Sequence, residues 1–445
     1  MFENYKYLSG TYTLLYKKLN CYKLLFKSSA IENSEELTEK APGYTGYSRK
    51  NWIRSLGPGI IVAALVFGPS KITIISILGA NYNYSMLWIV VIAIFFMIIF
   101  TSMSARIGIA TQKSLLTTIS EKWGKAAGVF IGIGIFLVTA SFQAGNSIGI
   151  GISLAEATHT AQAPWIILFN AIAIGLLFFR AFYKVLEKIM IGLVFLMLFA
   201  FVTTLILSKP RISDIITGLI PSIPPGSMLL VIAFMASCFS IVGACYQSYL
   251  VQERLRIHPD VPQTGKESVA GMCILGLMSA ILLICCATVL HPKGIAINSA
   301  TDMAKALEPA FGKYASYLFL AGLFGASFSA LIGNATLGGT LTGDALGYGG
   351  KLSSKTTRFL IAVVMLIGAT IAIIFGKLPL QLIIIAQTVT IFIVPFIGIA
   401  LYLVANDKKL MGVYSNKIFN NIFGGIGLLV MIFLALSNIK VLFFK

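Results

Sequence analysis

LGPGIIVAALVFGPSKITIISILGA, residues 56–80, is long and apolar enough to cross a bilayer, yet it contains Lys71. The lysine directly follows Gly68-Pro69-Ser70. Proline inside a helix removes an amide donor and clashes with the preceding turn, and glycine weakens the helix further. The span is therefore expected to break near its middle, with a cation at the break. A charge at bilayer depth costs roughly 3 kcal/mol on insertion scales, so it must face a cavity, a partner or a substrate. A broken apolar span with a polar group at mid-depth is how secondary transporters build a binding site. The plain alternative is a lysine that snorkels to the interface, which from mid-span is a long reach.

Composition extends the membrane reading to the whole chain. Of 445 residues, 57% are hydrophobic and 11% charged, with mean hydropathy +0.89. A soluble domain carries about 25% charged residues. Eleven apolar runs of spanning length are expected: 56–79, 85–105, 127–155, 164–180, 187–207, 228–251, 269–290, 314–341, 358–375, 379–404 and 420–439. The expected fold class is all-α, a polytopic membrane protein of about eleven transmembrane helices. The third and eighth spans are long enough to tilt or to leave the lipid.

Lys and Arg in the short loops set the orientation. With the N-terminus inside, the inner loops hold sixteen of them, from Arg106 and Lys113 to Lys409 and Lys417. The outer loops and C-terminal end hold eight, from Lys209 to Lys445. A cytoplasmic N-terminus, an external C-terminus and a location in the plasma (inner) membrane are expected. The same bias accounts for much of the +18 net charge, so the pI of about 9.6 implies no nucleic-acid partner. Residues 1–50 form a basic, Lys- and Tyr-rich N-terminal tail. TLLYKKLNCYKLLFK, residues 13–27, has the make-up of a surface-lying amphipathic helix; a loosely attached tail is the plainer reading. No apolar core followed by a small-residue cleavage site marks a signal peptide.

Five of the six cysteines, Cys238, Cys245, Cys273, Cys285 and Cys286, lie in expected spans, where cysteine serves as a small hydrophobe. No zinc-ligand spacing, His cluster, catalytic triad or phosphate-binding loop is present. No cofactor and no enzymatic activity are expected. None of the sixteen acidic residues falls in the centre of an apolar run. Hard divalent cations prefer carboxylate oxygens, and proton relays across membranes use Asp, Glu or His.

The sixth run, FMASCFSIVGACYQSYLVQER (residues 234–254), echoes the first. Gly243 and the polar stretch Cys245-Tyr246-Gln247-Ser248 interrupt it, so Gly243 is the expected break there, as Pro69 is in the first. Two groups of five spans, each with a broken leader, suggest an inverted repeat with the site between the breaks. The expected organisation is a transmembrane domain over 51–445: repeat one about 56–207, repeat two about 228–404, and an extra helix about 420–439. A Gly-containing helix whose polar groups bond to neighbouring helices is the alternative for the sixth span.

Over residues 52–437 the chain resembles the Nramp family of divalent-metal transporters. LGPGIIVAALVFGPSK resembles the family's first-span pattern G-P-x-x-x-V-A-x-x-x-x-D-P-G-N. IVGACYQSY is similar to I-G-A-x-x-M-P-H, and GNATLGGTLTGDALG to G-Q-S-S-T-x-T-G-T-x-A-G-Q. The most specific match is AQTVTIFIVPFIGIALYLVANDKKLMG against S-Q-x-x-L-S-x-x-L-P-F-x-x-x-P-L followed by N-x-x-x-M-G. The resemblance implies the LeuT-type fold: ten helices in a 5+5 inverted repeat with broken first and sixth helices, plus an eleventh.

The departures fall on the functional positions. In this resemblance the family's metal-binding Asp corresponds to Gly68 and its Asn to Lys71. Its sulfur ligand Met corresponds to Gln247, with Ser248 and Tyr249 for the following Pro and His. The proton-path segment D-L-A-E corresponds to Gln143-Ala144-Gly145-Asn146, so Gln143 and Asn146 stand at former proton-path positions. The family Gln survives as Gln387, and the backbone carbonyls of Leu65 and Ala244 are expected at the site. The expected substrate-binding set is Gly68, Ser70, Lys71, Ala244, Cys245, Tyr246, Gln247 and Gln387. Two unit charges about 4 Å apart interact by about 4 kcal/mol at an effective dielectric of 20, so a dication beside a protonated Lys71 meets roughly twice that repulsion. A neutral Lys71 amine with Cys245 as soft ligand is the route that keeps a metal. The resemblance implies metal ion transport by a secondary transporter with a remodelled site. Residue chemistry favours an anionic or polar solute received by Lys71, and an inactive, non-transporting paralogue is the third reading. The expected partners are the lipid bilayer and a small ion or small polar solute; no oligomeric state is implied.

Overall fold

The computed structural model describes residues 57–443, except 112, 180–181, 258–266, 295–301, 303–311 and 376–379. The expected tail over residues 1–50 lies outside the described residues, as do five of the twenty-four Lys and Arg residues counted for the expected orientation: Arg180 and Lys266 of the inner loops, and Lys305, Lys377 and Lys445 of the outer set.

In hydrocarbon no water satisfies backbone N–H and C=O groups, so apolar segments close their own hydrogen bonds as helices. Every regular element among the described residues is helical. The first leader is α1 (Gly57–Val66) and α2 (Pro69–Tyr82), followed by α3 (Leu87–Thr111) and the short α4 (Leu115–Trp123). Then come α5 (Lys125–Thr158), α6 (Gln162–Leu176), α7 (Phe182–Ser208) and the short α8 (Ile212–Thr217). The second leader is α9 (Met228–Cys238) and α10 (Ile241–Ile257), followed by α11 (Glu267–Val289), α12 (Lys313–Ala345), α13 (Lys355–Phe375) and α14 (Leu380–Ala405). The chain closes with the short α15 (Lys408–Met411) and with α16 (Ile418–Phe443). Nine helical stretches among the described residues are long and apolar enough to cross a membrane, and α1 and α6 are shorter apolar helices. With each broken leader taken as one, the eleven expected spans follow in order.

The first break falls where it is expected. Gly68 is extended (φ −98°, ψ 177°) and Pro69 is the first residue of α2, where its missing N–H costs nothing. The second break is displaced from Gly243. Phe239 leaves helical geometry (ψ 56°), and Ser240 starts α10 by accepting the Gly243 amide on Oγ at 3.3 Å, the role of an N-cap serine. Gly243 itself lies in the first turn of α10. A Cβ there would come within 2.9 Å of Val66 Cγ2, so glycine serves close packing on α1 and does not bend the chain.

The two five-helix groups repeat one another: a broken leader comes first and the longest helix third. Those long helices, α5 with 34 residues and α12 with 33, each reach about 50 Å against a hydrocarbon core of about 30 Å, and they pack along each other. Small residues allow the approach: a Cβ on Gly338 would lie 2.4 Å from Thr139 Oγ1. Outward faces stay apolar, as at Phe195 and Phe199 of α7 and Leu429 and Phe433 of α16, as a lipid-facing surface requires.

Candidate substrate site

The two breaks meet around a cavity of about 60 Å³ available to water centres, room for roughly four to six waters. Gly68, Ser70 and Lys71 line it at the first break; Ala236, Ser237, Ser240 and Val242 line it around the second. Val138, Phe142 and Asn146 come from α5, Asn334 and Leu337 from α12, and Gln387 and Thr390 from α14. Lys71 is 1% exposed and its ammonium nitrogen is buried. It lines the cavity, so snorkelling is excluded. Among the described lining residues it is the only charged one, and none is acidic.

Close helix approach builds this geometry. A Cβ on Gly149 of α5 would come within 2.8 Å of Pro69 Cβ and 2.3 Å of Ser327 Oγ, so glycine lets α5 reach the break. Asn146, three residues earlier, shares that face; its Oδ1 lies 3.2 Å from where a Gly68 Cβ would stand. Gln387 and Thr390 are likewise three apart on α14.

Gln143 does not line the cavity. Its Nε2 donates to Leu331 O at 2.9 Å, and its Oε1 accepts from Asn334 Nδ2 at 3.1 Å and Asn146 Nδ2 at 3.4 Å. Asn334 Nδ2 also donates to Thr139 O at 2.8 Å. Gln143 joins α5 to α12 and holds the two cavity asparagines in position.

Ala244, Cys245, Tyr246 and Gln247 are not brought to the cavity wall. All four are fully buried in α10. Gln247 Nε2 donates to Ser268 Oγ of α11 at 2.9 Å. Cys245 O accepts from Ser104 Oγ of α3 at 3.1 Å and Ser248 Oγ at 2.9 Å. The reason is the displaced break: the helix restarts at Ile241, so these positions lie a turn or more inside α10, packed between helices. Ser240, not Gln247, stands at the break. Ser237, Ser240, Asn334 and Thr390 escape the sequence reading. Ser240 carries a usable signal as an N-cap serine ahead of an apolar run, and Thr390 one as the turn partner of Gln387.

At one end of the molecule a buried carboxylate closes the structure. α12 runs on to Ala345, so Asp344, expected after the eighth span, lies in its last turn and is 3% exposed. Asp344 Oδ1 accepts from Ser114 Oγ at 2.6 Å and Thr117 Oγ1 at 2.9 Å; Oδ2 accepts from Tyr249 O–H at 2.5 Å and the Thr117 amide at 3.3 Å. The Leu116 amide donates to Tyr249 Oη at 3.1 Å. One side chain thus ties α4, α10 and α12 together. Asp344→Ala strips several buried donors of their acceptor and is expected to lower stability by about 2–4 kcal/mol. Asp344→Asn, which keeps an acceptor oxygen, is expected to lose less. Thermal unfolding in detergent checks both; an unchanged midpoint in Asp344→Ala would refute the fastening role.

Residues 59–440 match the family model for Nramp, natural resistance-associated macrophage protein-like. The chain belongs to the Nramp family. Among relatives of this Nramp protein, the divalent metal cation transporter MntH of Caldanaerobacter subterraneus subsp. tengcongensis is 26% identical over 396 residues, covering 86% of this chain and 91% of that protein. A variant of the Eremococcus coleocola manganese transporter has TM-score 0.71 at 20% identity, with 89% of each chain covered. Mhp1, a nucleobase-cation-symport-1 family transporter, has TM-score 0.56 at 12% identity, covering 87% of this chain and 93% of that one. The fold is LeuT-type, with the two broken helices that the first and sixth spans of this Nramp protein display. It is a multi-pass integral membrane protein.

Proposed function

We propose that this Nramp protein is a secondary transporter that carries a small ion across the plasma membrane through the cavity between its broken helices. The observation that supports this most directly is the cavity itself. Polar groups from α2, α5, α9, α12 and α14, with buried Lys71, converge at breaks in two equivalent helices. Irregular backbone at membrane depth is tolerated where it lines such a cavity. By the positive-inside rule the Asp344 closure lies on the cytoplasmic side and the N-terminus is cytoplasmic.

Metal ion transport is the function family membership supports, and the MntH relatives are named divalent metal cation transporters. The donors here would be a remodelled set: amide oxygens of Asn146 and Gln387, hydroxyls of Ser70 and Ser240, and backbone carbonyls at the breaks. A second reading has its own observation. Lys71 is the charge in the cavity wall and no described lining residue is acidic, which suits an anionic or polar solute.

Proteoliposomes separate the readings. Saturable ⁵⁴Mn²⁺ or ¹⁰⁹Cd²⁺ uptake by the wild type, lost in Gln387→Leu, is expected if metal is the cargo. Uptake no greater than in empty vesicles would refute the metal reading. Uptake from a mixture of small anions and polar solutes, lost in Lys71→Met, would then identify the second. A folded protein that moves none of them is an inactive paralogue.

A further inference from the structure

We propose that the cavity binds a small monovalent anion, of the size of a halide, nitrate or formate, at the N-terminus of α2 beside Lys71. The proposal rests on reading this cavity as the transport site and names the ligand class that its charge selects.

Three features converge. First, α2 has 14 residues and begins without a side-chain cap, because its N-cap is Gly68. The first amides of a helix have no intrahelical acceptor, and the helix end carries a partial positive charge. Second, Lys71, in the first turn of α2, adds a cation where the helix favours negative groups. Two positive centres repel one another, no carboxylate stands among the described lining residues, and an anion between the two centres reverses the sign of both interactions. Third, and independently, Gln387 reaches the same cavity from α14. It is 1% exposed, and neither its Nε2 nor its Oε1 has a hydrogen-bond partner among the described residues. A buried amide left without partners is costly, and a ligand that accepts from Nε2 satisfies its donor half.

One further lining group offers a donor. Ser240 Oγ is already an acceptor for the Gly243 amide, which leaves its O–H to donate. Donors therefore converge from Lys71, Gln387 and Ser240. About 60 Å³ open to water centres accommodates a small ion that takes the place of a few waters.

The full-length protein, purified in detergent and dialysed into sodium gluconate, is titrated at constant ionic strength with sodium chloride, bromide, nitrate or formate. The thermal midpoint and ³⁶Cl⁻ scintillation-proximity binding are read together. A saturable rise in the midpoint and ³⁶Cl⁻ binding displaced by bromide or nitrate are expected. Gln387→Leu is expected to bind about tenfold to a hundredfold more weakly, the worth of one charge-assisted hydrogen bond. Lys71→Met is expected to abolish binding, and Lys71→Arg, which keeps the charge, to retain it in a protein of unchanged fold. No saturable binding of any of the four anions by the folded wild type overturns the proposal. So does binding of equal strength in Lys71→Met and Gln387→Leu. ³⁶Cl⁻ flux into proteoliposomes is measured separately: binding without flux of any solute refutes transport and leaves the anion site standing, whereas metal uptake without anion binding does the reverse.

Discussion

Gly68→Asp combined with Lys71→Asn is expected to raise Mn²⁺ affinity about a hundredfold or more over the wild type. The pair removes a cation and adds a carboxylate at neighbouring positions of one break, so the local formal charge falls by about two units. At an effective dielectric of 20, each pair of unit charges about 4 Å apart is worth about 4 kcal/mol, and a hundredfold in affinity needs only about 2.7 kcal/mol. The structure sets one condition. A Cβ at position 68 would stand 3.1 Å from Ala330 Cβ and 3.2 Å from Asn146 Oδ1, so α5 and α12 must yield by a few tenths of an ångström. Adding Ala330→Gly relieves the first of these contacts. Calorimetry on folded variants decides. Micromolar Mn²⁺ binding already present in the wild type, or no gain in a folded double variant, would show that these two side chains do not control metal recognition.

The second large effect is expected at the ion pair between Arg254 of α10 and Glu187 of α7. Arg254 is 2% exposed, and its Nη1 lies 3.6 Å from Glu187 Oε1. Gly57, the first residue of α1, packs on both: a Cβ there would lie 1.8 Å from Glu187 Oε1 and 2.7 Å from Arg254 Nη1. The pair therefore holds the start of the first leader against α7 and the end of the second. Arg254→Met keeps most of the bulk but takes the guanidinium from a largely buried carboxylate, and a loss of about 3 kcal/mol is expected. Gly57→Ala is expected to push the flexible Glu187 carboxylate aside and weaken the same pair while the helices stay in place. Thermal midpoints in detergent measure both. An Arg254→Met protein that unfolds at the wild-type temperature would remove the pair from the account of stability.

Much of this architecture is legible in the chain. Apolar runs of spanning length have one backbone solution in lipid, so helix number and order follow from hydropathy alone. The break at Gly68-Pro69 is equally readable, because a proline without an amide donor forces the helix to restart at it. Gly243 misleads for the opposite reason. Glycine permits a bend without requiring one, and its use depends on what stands opposite, here Val66. Ser240, one turn earlier, has the chemistry to start a helix and does so.

Sequence by itself determines that this Nramp protein is a polytopic helical membrane protein with a cation at a broken first span, since proline stereochemistry and the cost of burying charge are local facts. Only the tertiary structure decides which polar groups share that space. Gln387, Asn146, Asn334 and Ser240 meet Lys71 because Gly149 lets α5 close on Pro69 and because the second leader restarts at Ile241. Gln143 and Gln247, equally polar in the sequence, are turned into helix–helix contacts by the register of α5 on α12 and of α10 on α11. Helical register across neighbours arises from packing over many residues, and no single stretch of the chain encodes it.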